Sequence, residues 1–315
     1  MSHSFPKLES VDSIVESLAT AGYICNEQIA TVVYLAAALE KPILVEGPPG
    51  VGKTELAKSC AQVTGAPLVR LQCYEGLDES KAIYEWKYGK QLLYTQLLKT
   101  QLSEVMEGVQ GLRASVERLH SFDDVFFSKE FLEPRPLLQA IDVEGGVVLL
   151  VDEIDKADFE FESLLLEVLS DFQVSIPELG TLKGRSKPLV FLTSNDTRDL
   201  SDALKRRCLH LHIDFPTTEL EGRIVRARVP QITEAMTDHL VTFVSKVREM
   251  DLKKLPSVSE TIDWAKSLIL LHADSLDEEL VKSSLNALLK YEEDLTSVVE
   301  NLVDLLNTEK QAANA

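Results

Sequence analysis

The segment GPPGVGKT, residues 47–54, restricts the possible folds of this chain more than any other feature. It follows the apolar run ILVE, which is typical of a buried strand, and it opens a segment with helical spacing that ends at Gly65. Small residues before a helix let backbone N–H groups turn around phosphate oxygens at the positive helix end. The predicted nucleotide-binding residues are Gly47, Pro48, Pro49, Gly50, Val51, Gly52, Lys53, Thr54 and Glu55.

The loop fits the pattern GxxxxGK[ST], in which the last two residues carry the chemistry. We expect Lys53 to reach the β- and γ-phosphates of a nucleotide and Thr54 to bind Mg²⁺. About 100 residues later, GGVVLLVDEID (145–155) predicts a buried strand that ends in two carboxylates. Asp152 is then expected beside the Mg²⁺ ion, and Glu153 is expected to polarise the attacking water as general base.

Asn195 lies at the end of a third apolar strand, KPLVFLTSND (187–196). Open parallel sheets bind ligands at this edge, so the amide could fix a water molecule or touch the γ-phosphate. An Asx turn would explain the same residues without any catalytic role. Both readings of Asn195 stay open at the level of sequence.

Strands alternate with helices up to Pro216, and only helical patterns follow it. This order predicts an α/β fold in which helices flank a mainly parallel sheet, with a smaller all-helical domain behind it. We place the α/β core at residues 1–216 and the helical domain at 217–315. Within the core we expect a helical insert at about 75–140 and a β-hairpin at about 173–184.

The charge and composition of the chain limit the classes of partner that it is expected to bind. The net charge is −19, from 32 Lys+Arg against 51 Asp+Glu, and both predicted domains are acidic. No basic lobe is available to neutralise a polynucleotide, so nucleic-acid binding is not expected. The four cysteines are scattered and form no CxxC pair, and neither a signal peptide nor a membrane span is evident. The sequence predicts a cytoplasmic protein.

The motifs GPPGVGKT, LLVDEIDKAD, FLTSND and ALKRRC, in this order, resemble those of AAA+ ATPases across about residues 25–290. The hairpin segment VSIPELGTLK and the long insert are similar to the MoxR branch. LQCYEGLD, YEWKYGKQLL and PSVSETIDWAKSL resemble the MoxR subgroup linked to maturation of carbon monoxide dehydrogenase and related metalloenzymes. The resemblance implies ATP and Mg²⁺ as cofactors and a ring, six subunits being usual. It also implies remodelling of a protein partner, such as a metalloenzyme with a von Willebrand factor A-type adaptor.

The resemblance to AAA+ ATPases implies roles for individual residues, according to their positions in the motifs. Asn195 matches sensor 1, and Gln72 lies where many AAA+ proteins restrain the catalytic glutamate. Of the two arginines in ALKRRC, Arg207 best matches the finger that serves a neighbouring subunit, with Arg206 as its rival. Cations at the end of a short helix are also favoured by the helix dipole alone.

One departure concerns the helical domain. Many MoxR-type proteins carry a nucleotide-contacting arginine where PSVSE places Ser259. Either another cation, Lys266 or Arg223, substitutes for it, or the helical domain senses nucleotide differently.

Three functions remain open from the sequence. A protein-remodelling ATPase fits best, a nucleic-acid motor or clamp loader conflicts with the acidic charge, and a switch with negligible turnover conflicts with the Asp152-Glu153 pair. The hairpin tip, Glu178-Leu179-Gly180, could contact substrate or be a plain surface turn.

Overall fold

The computed structural model describes Phe5 and residues 7–105, 127–273 and 275–306. The strands in this part of the chain are β1 (Ile43–Glu46), β2 (Leu68–Gln72), β3 (Tyr84–Trp86), β4 (Leu132–Pro134), β5 (Val148–Asp152), β6 (Gln173–Ile176), β7 (Gly180–Lys183), β8 (Leu189–Ser194) and β9 (Leu209–His212). The helices are α1 (Val11–Thr20), α2 (Glu27–Leu39), α3 (Lys53–Thr64), α4 (Glu79–Ala82), α5 (Tyr88–Val105), α6 (Pro136–Asp142), α7 (Phe159–Asp171), α8 (Asp202–Lys205), α9 (Thr218–Arg228), α10 (Glu234–Arg248), α11 (Val258–Leu270), α12 (Glu278–Ser284), α13 (Glu292–Glu300) and α14 (Leu302–Leu306). Short 3-10 helices cover Lys129–Phe131, Ile154–Lys156 and Leu285–Ala287.

The central sheet has five parallel strands in the order β2-β5-β8-β1-β9. Strands β5 and β8 are wholly buried because helices cover both faces of the sheet. Alternate residues of β5 serve the two faces: Val148 and Leu150 join one hydrophobic cluster, whereas Leu149 and Val151 join the other. The predicted α/β fold with a mainly parallel sheet is confirmed, and the carboxyl ends of β1, β5 and β8 share one edge.

The segment predicted as a helical insert also contains strand. β3 pairs with β4 in an antiparallel ribbon, with Trp86 opposite Leu132, and both side chains are buried in the core beside β5. Each strand has only three residues, and the pairing joins positions far apart in the chain, so no local pattern predicted it. The predicted insert extends over residues 106–126, which lie outside the described residues.

The predicted hairpin at 173–184 corresponds to β6 and β7, which pair antiparallel. Leu179 at its tip packs partly buried against the core cluster, whereas Glu178 is exposed. Only part of the tip is therefore available to a partner.

Helices α9–α14 enclose a separate hydrophobic cluster around Phe243 and Trp264, whose members all follow Val225. Ser257 caps α11 by accepting a hydrogen bond from the Glu260 N–H, and the Glu260 carboxylate accepts one from the Ser257 N–H in return. The Ser257 side chain also lies against Gly50, in the loop before α3. We propose Pro216 as the junction of the two parts. Among the described residues, no helix is both long and apolar enough to cross a membrane.

Candidate functional site

The glycine-rich loop lies between β1 and α3, and two of its glycines are required by close neighbours. Gly47 has φ +143°, and a Cβ there would lie 2.0 Å from the carbonyl oxygen of Ile213. Gly50 has φ +76°, and a Cβ there would lie 2.4 Å from the Ser257 side chain. The loop is therefore clamped between the end of β9 and the start of α11, a packing that a side chain at either position would break.

Lys53 is buried, and its ammonium makes three hydrogen bonds. It donates to the carbonyl oxygens of Gly47 (2.6 Å) and Pro48 (2.7 Å) and to Oδ1 of Asn195 (2.8 Å). Burial lowers the pKa of Lys53 to about 8, against the opposing effect of nearby carboxylates, of which Asp155 is the largest. The lysine thus links the loop to the end of β8.

Asp152, the last residue of β5, is buried and uses both oxygens. Its Oδ1 accepts from the hydroxyls of Thr54 (2.9 Å) and Thr193 (2.5 Å), and its Oδ2 accepts from the Arg70 guanidinium (2.6 Å). Thr193 also accepts the backbone N–H of Glu153 at 2.9 Å. Neither Thr193 nor Arg70 carries a local sequence signal that distinguishes it from an ordinary strand residue.

Glu153 has left-handed backbone angles, φ 57° and ψ 51°, which are rare for a residue with a side chain. Its Oε2 accepts from the Gln72 amide nitrogen (2.8 Å) and from the Lys156 ammonium (2.7 Å). The same ion pair raises the pKa of Lys156. Gln72 therefore contacts the residue that the sequence comparison paired with it, and Lys156 is a further partner that the sequence did not predict.

Asn195 is held by Asp155, a buried carboxylate that sequence reasoning missed. Oδ2 of Asp155 accepts the backbone N–H groups of Asn195 (3.2 Å) and Thr197 (3.1 Å) and the Thr197 hydroxyl (2.6 Å). The Asn195 side chain itself meets Lys53, so the residue is more than a self-contained Asx turn. The pattern DEID showed an extra acid, but only the fold shows that it faces the β8 loop.

Two cavities adjoin along the loop. One of about 360 Å³ is lined by Lys53, Thr54, Asp152, Glu153 and Asn195, hereafter the polar cluster. The other, of about 650 Å³, lies between α2, β9 and the helical part. Its apolar wall includes Ile24, Ile29, Ile213, Phe215, Leu220 and Ile262. A polar compartment beside an apolar one suits a ligand that has phosphates at one end and a base at the other.

The donors at Asp152 and Thr54 are hard oxygens, which suit Mg²⁺. No group of three or more His, Cys, Asp or Glu side chains in the described residues could hold a metal by itself. Mg²⁺ commonly takes one or two protein oxygens and completes its shell with water and substrate phosphates, so the residues present fit this ion.

Arg206 and Arg207 do not join the polar cluster within one chain. They precede β9, whose first residue Leu209 pairs with Ile43 at the amino edge of the sheet. The glycine-rich loop begins at the opposite edge, about 13 Å further along β1. Both arginines are exposed. Arg207 donates to the Ser170 hydroxyl (2.8 Å) and the Ala203 carbonyl (3.2 Å).

On the helical side, Ser259 lies near the loop, with its hydroxyl 3.4 Å from the Gly50 carbonyl oxygen. Lys266 lines the larger cavity, whereas Arg223 is exposed and lines neither cavity. Arg228, which sequence reasoning missed, lines the larger cavity and forms an ion pair with Glu55 of α3 at 2.5 Å. It is thus a second cation of the helical part, beside Lys266, on the cavity wall.

Comparison with known proteins identifies the family. Residues 42–208, more than half of the chain, match the AAA domain of the dynein-related subfamily. The chain belongs to this AAA family. The match spans the glycine-rich loop, the end of β5 and the end of β8, so the polar cluster lies within the family's own domain.

Named relatives are distant. The gas vesicle ATPase GvpN of Haloferax mediterranei is 28% identical over 66% of this chain and 57% of its own length. The chain therefore spans little more than half of that relative. An uncharacterised Staphylococcus aureus protein, SAB1265c, is 26% identical over 73% of this chain and 75% of its own length. The Thermotoga maritima RuvB Holliday junction branch migration motor is similar in structure, with 18% identity, a TM-score of 0.45, and 96% and 80% of the chains covered.

Proposed function

We propose that this AAA family member hydrolyses ATP. The observation that carries the proposal is the polar cluster at the carboxyl edge of the sheet, in which hydrogen bonds join Lys53 to Asn195 and Thr54 to Asp152, beside Glu153. The adjoining apolar cavity supports a nucleoside-bearing ligand. The GvpN relatives are named as ATPases.

In this proposal each residue has one task. Lys53, with Asn195, holds the terminal phosphates, and Thr54 and Asp152 hold Mg²⁺, which neutralises phosphate charge when bound. Glu153 accepts a proton from the attacking water as that water approaches the γ-phosphate in line. Gln72 and Lys156 hold Oε2 of Glu153, so we propose that release of these contacts frees the carboxylate to turn toward the water.

We further propose an oligomeric ring of about six subunits, with Arg207 or Arg206 completing a neighbour's site. The position of both arginines on the far edge of the sheet supports action between subunits. A protein partner is favoured over nucleic acid by the charge of −19. Four free thiols, three of them buried, fit a reducing cytoplasmic setting.

The most specific part of the proposal is a role in maturing a metalloenzyme, together with a von Willebrand factor A-type adaptor. Its support is the motif resemblance of LQCYEGLD, YEWKYGKQLL and PSVSETIDWAKSL. To test this role independently of ATP hydrolysis, the native protein is isolated with and without ATP. The proteins that remain bound to it are then identified.

Glu153→Gln tests the ATPase proposal. The variant should lower hydrolysis by roughly 100-fold or more, because general-base catalysis is lost, while ATP affinity stays within about threefold. Phosphate release and binding of a fluorescent ATP analogue measure the two effects. Glu160→Gln, an exposed acid on α7, is the matched control and should hydrolyse ATP normally.

Other outcomes point elsewhere. Undiminished hydrolysis in Glu153→Gln would remove the general-base assignment. ATP binding by the native protein without turnover would favour a switch, and hydrolysis stimulated by DNA would favour a nucleic-acid motor.

A further inference from the structure

Arg70 on β2 is the centre of a set of contacts that the proposed catalytic roles do not use. Its guanidinium donates to Oδ2 of Asp152 at 2.6 Å and to Oε1 of Gln72 at 2.5 Å. Arg70 and Gln72 are two residues apart on an edge strand, so both side chains project from the same face of the sheet. Arg70 therefore joins the proposed metal-holding carboxylate to the amide that contacts Glu153.

Both the oxygen and the nitrogen of the Gln72 side-chain amide are hydrogen-bonded. A guanidinium can only donate, so it requires the amide oxygen, and this turns the amide nitrogen toward Oε2 of Glu153 at 2.8 Å. Among the described residues, no other hydrogen bond reaches Oε1 of Gln72. Arg70 therefore stabilises the amide orientation in which Gln72 holds Glu153.

Asp152 is the second acceptor of the same arginine. Its Oδ1 is shared by two hydroxyls, which leaves Oδ2 for Arg70. Asp152 is buried, whereas the Arg70 side chain is about half exposed and can swing into solvent. A guanidinium on Oδ2 competes electrostatically with any other cation held by Asp152.

We infer that Arg70 is a positioning residue that couples the cation held at Asp152 to the release of Glu153. With Arg70 on Asp152, Gln72 is oriented and Glu153 is held. When Arg70 leaves Asp152 and Gln72, the Gln72 amide loses the donor that holds its oxygen, and its hold on Glu153 weakens. This inference rests on the proposed ATPase, because it assigns Asp152 to Mg²⁺ and Glu153 to the water.

The test is nucleotide affinity with and without Mg²⁺, measured by titration of a fluorescent ADP so that no hydrolysis is involved. Arg70→Ala should increase the Mg²⁺-dependent gain in affinity about 3- to 5-fold, the effect expected for loss of one half-exposed ion pair. Arg70→Lys, which keeps a cation for Asp152, should return the ratio toward the native value. Lys58→Ala removes another half-exposed cation on the same cavity wall, without contact to Asp152, and should change the ratio less than about twofold.

A double-mutant cycle tests the other half of the coupling. At saturating Mg²⁺ and ATP, where the effect on Asp152 no longer limits the rate, Gln72→Ala and Arg70→Ala should each raise unstimulated ATP hydrolysis, and the double variant should match Gln72→Ala alone because both then act through one amide. If Arg70→Ala does not fold, which a thermal unfolding scan would reveal, Arg70→Met, which keeps an unbranched side chain but has no N–H donor, carries the same predictions.

The two levels of failure are distinct. A native-like Mg²⁺ ratio in Arg70→Ala, or additive effects in the cycle, would overturn the role of Arg70 and leave the ATPase intact. A native protein that binds neither ADP nor ATP would overturn both.

Discussion

At the scale of single residues, the proposed chemistry depends on side chains that hold other side chains. Lys53 fixes Asn195, Gln72 and Lys156 fix Glu153, and Asp155 fixes the loop that carries Asn195. Catalytic geometry needs such support because a displacement of about 1 Å can cost a large factor in rate.

Asp155→Ala should impair the positioning of Asn195 for catalysis without impairing nucleotide binding. The backbone N–H groups of Asn195 and Thr197 lose their acceptor, so we expect kcat to fall at least about 10-fold, with nucleotide affinity within about threefold. The free energy of unfolding should fall by about 1–3 kcal/mol, as expected when buried donors lose a partner. Steady-state kinetics and urea unfolding measure these changes. Asp199→Ala, an exposed acid in the same loop, is the control, and unchanged kcat in Asp155→Ala would contradict the assignment.

The polar cluster was predictable from sequence because a fixed motif and the ends of apolar strands imply one shared edge of the sheet. Arg70, Thr193 and Asp155 were not, since a single cation, hydroxyl or acid has no local pattern. Arg70 meets Asp152 across 82 positions and Thr193 meets it across 41, so only the strand order brings them together.

At the scale of elements, the start of α11 and the end of α9 bring the helical part to the loop. Ser257 packs against Gly50, and Arg228 pairs with Glu55 of α3. The sequence predicted a helical domain and left two alternatives: Lys266 or Arg223 replaces the missing arginine, or the domain senses nucleotide differently. Arg228 was missed because its partner is on another element, and helical periodicity does not indicate which end of α9 faces α3.

Arg228→Ala should weaken nucleotide binding about 2- to 5-fold, because the ion pair that holds α9 to α3 beside the cavity is lost. Titration with a fluorescent nucleotide measures the change. Arg223→Ala is the matched control, since it removes an exposed arginine from the same helix outside both cavities. Equal weakening by the two variants would show that charge alone, and not the contact with Glu55, is responsible.

At the scale of the whole molecule, the residues proposed for the site lie at two edges of one sheet. The polar cluster lies at the carboxyl edge, and both arginines of ALKRRC lie at the amino edge. A head-to-tail ring would place one subunit's amino edge against its neighbour's cluster. The Arg207 side chain is hydrogen-bonded to Ser170 and Ala203, while the Arg206 side chain makes no hydrogen bond or ion pair in the described part of the chain. Both remain candidates for the finger.

The central claim is that this chain hydrolyses ATP at a site completed by a neighbouring subunit, and mixing two inactive variants tests it most directly. Lys53→Ala loses the ammonium proposed to hold phosphate, and Arg207→Ala loses the first candidate for the finger. Neither should hydrolyse ATP appreciably alone, but an equal mixture should recover about a quarter of native activity, because one interface in four pairs an intact cluster with an intact finger. An equal mixture of Lys53→Ala with Arg206→Ala decides which of the two arginines is the finger. Full activity of both arginine variants alone, or no recovery in either mixture, would contradict the claim.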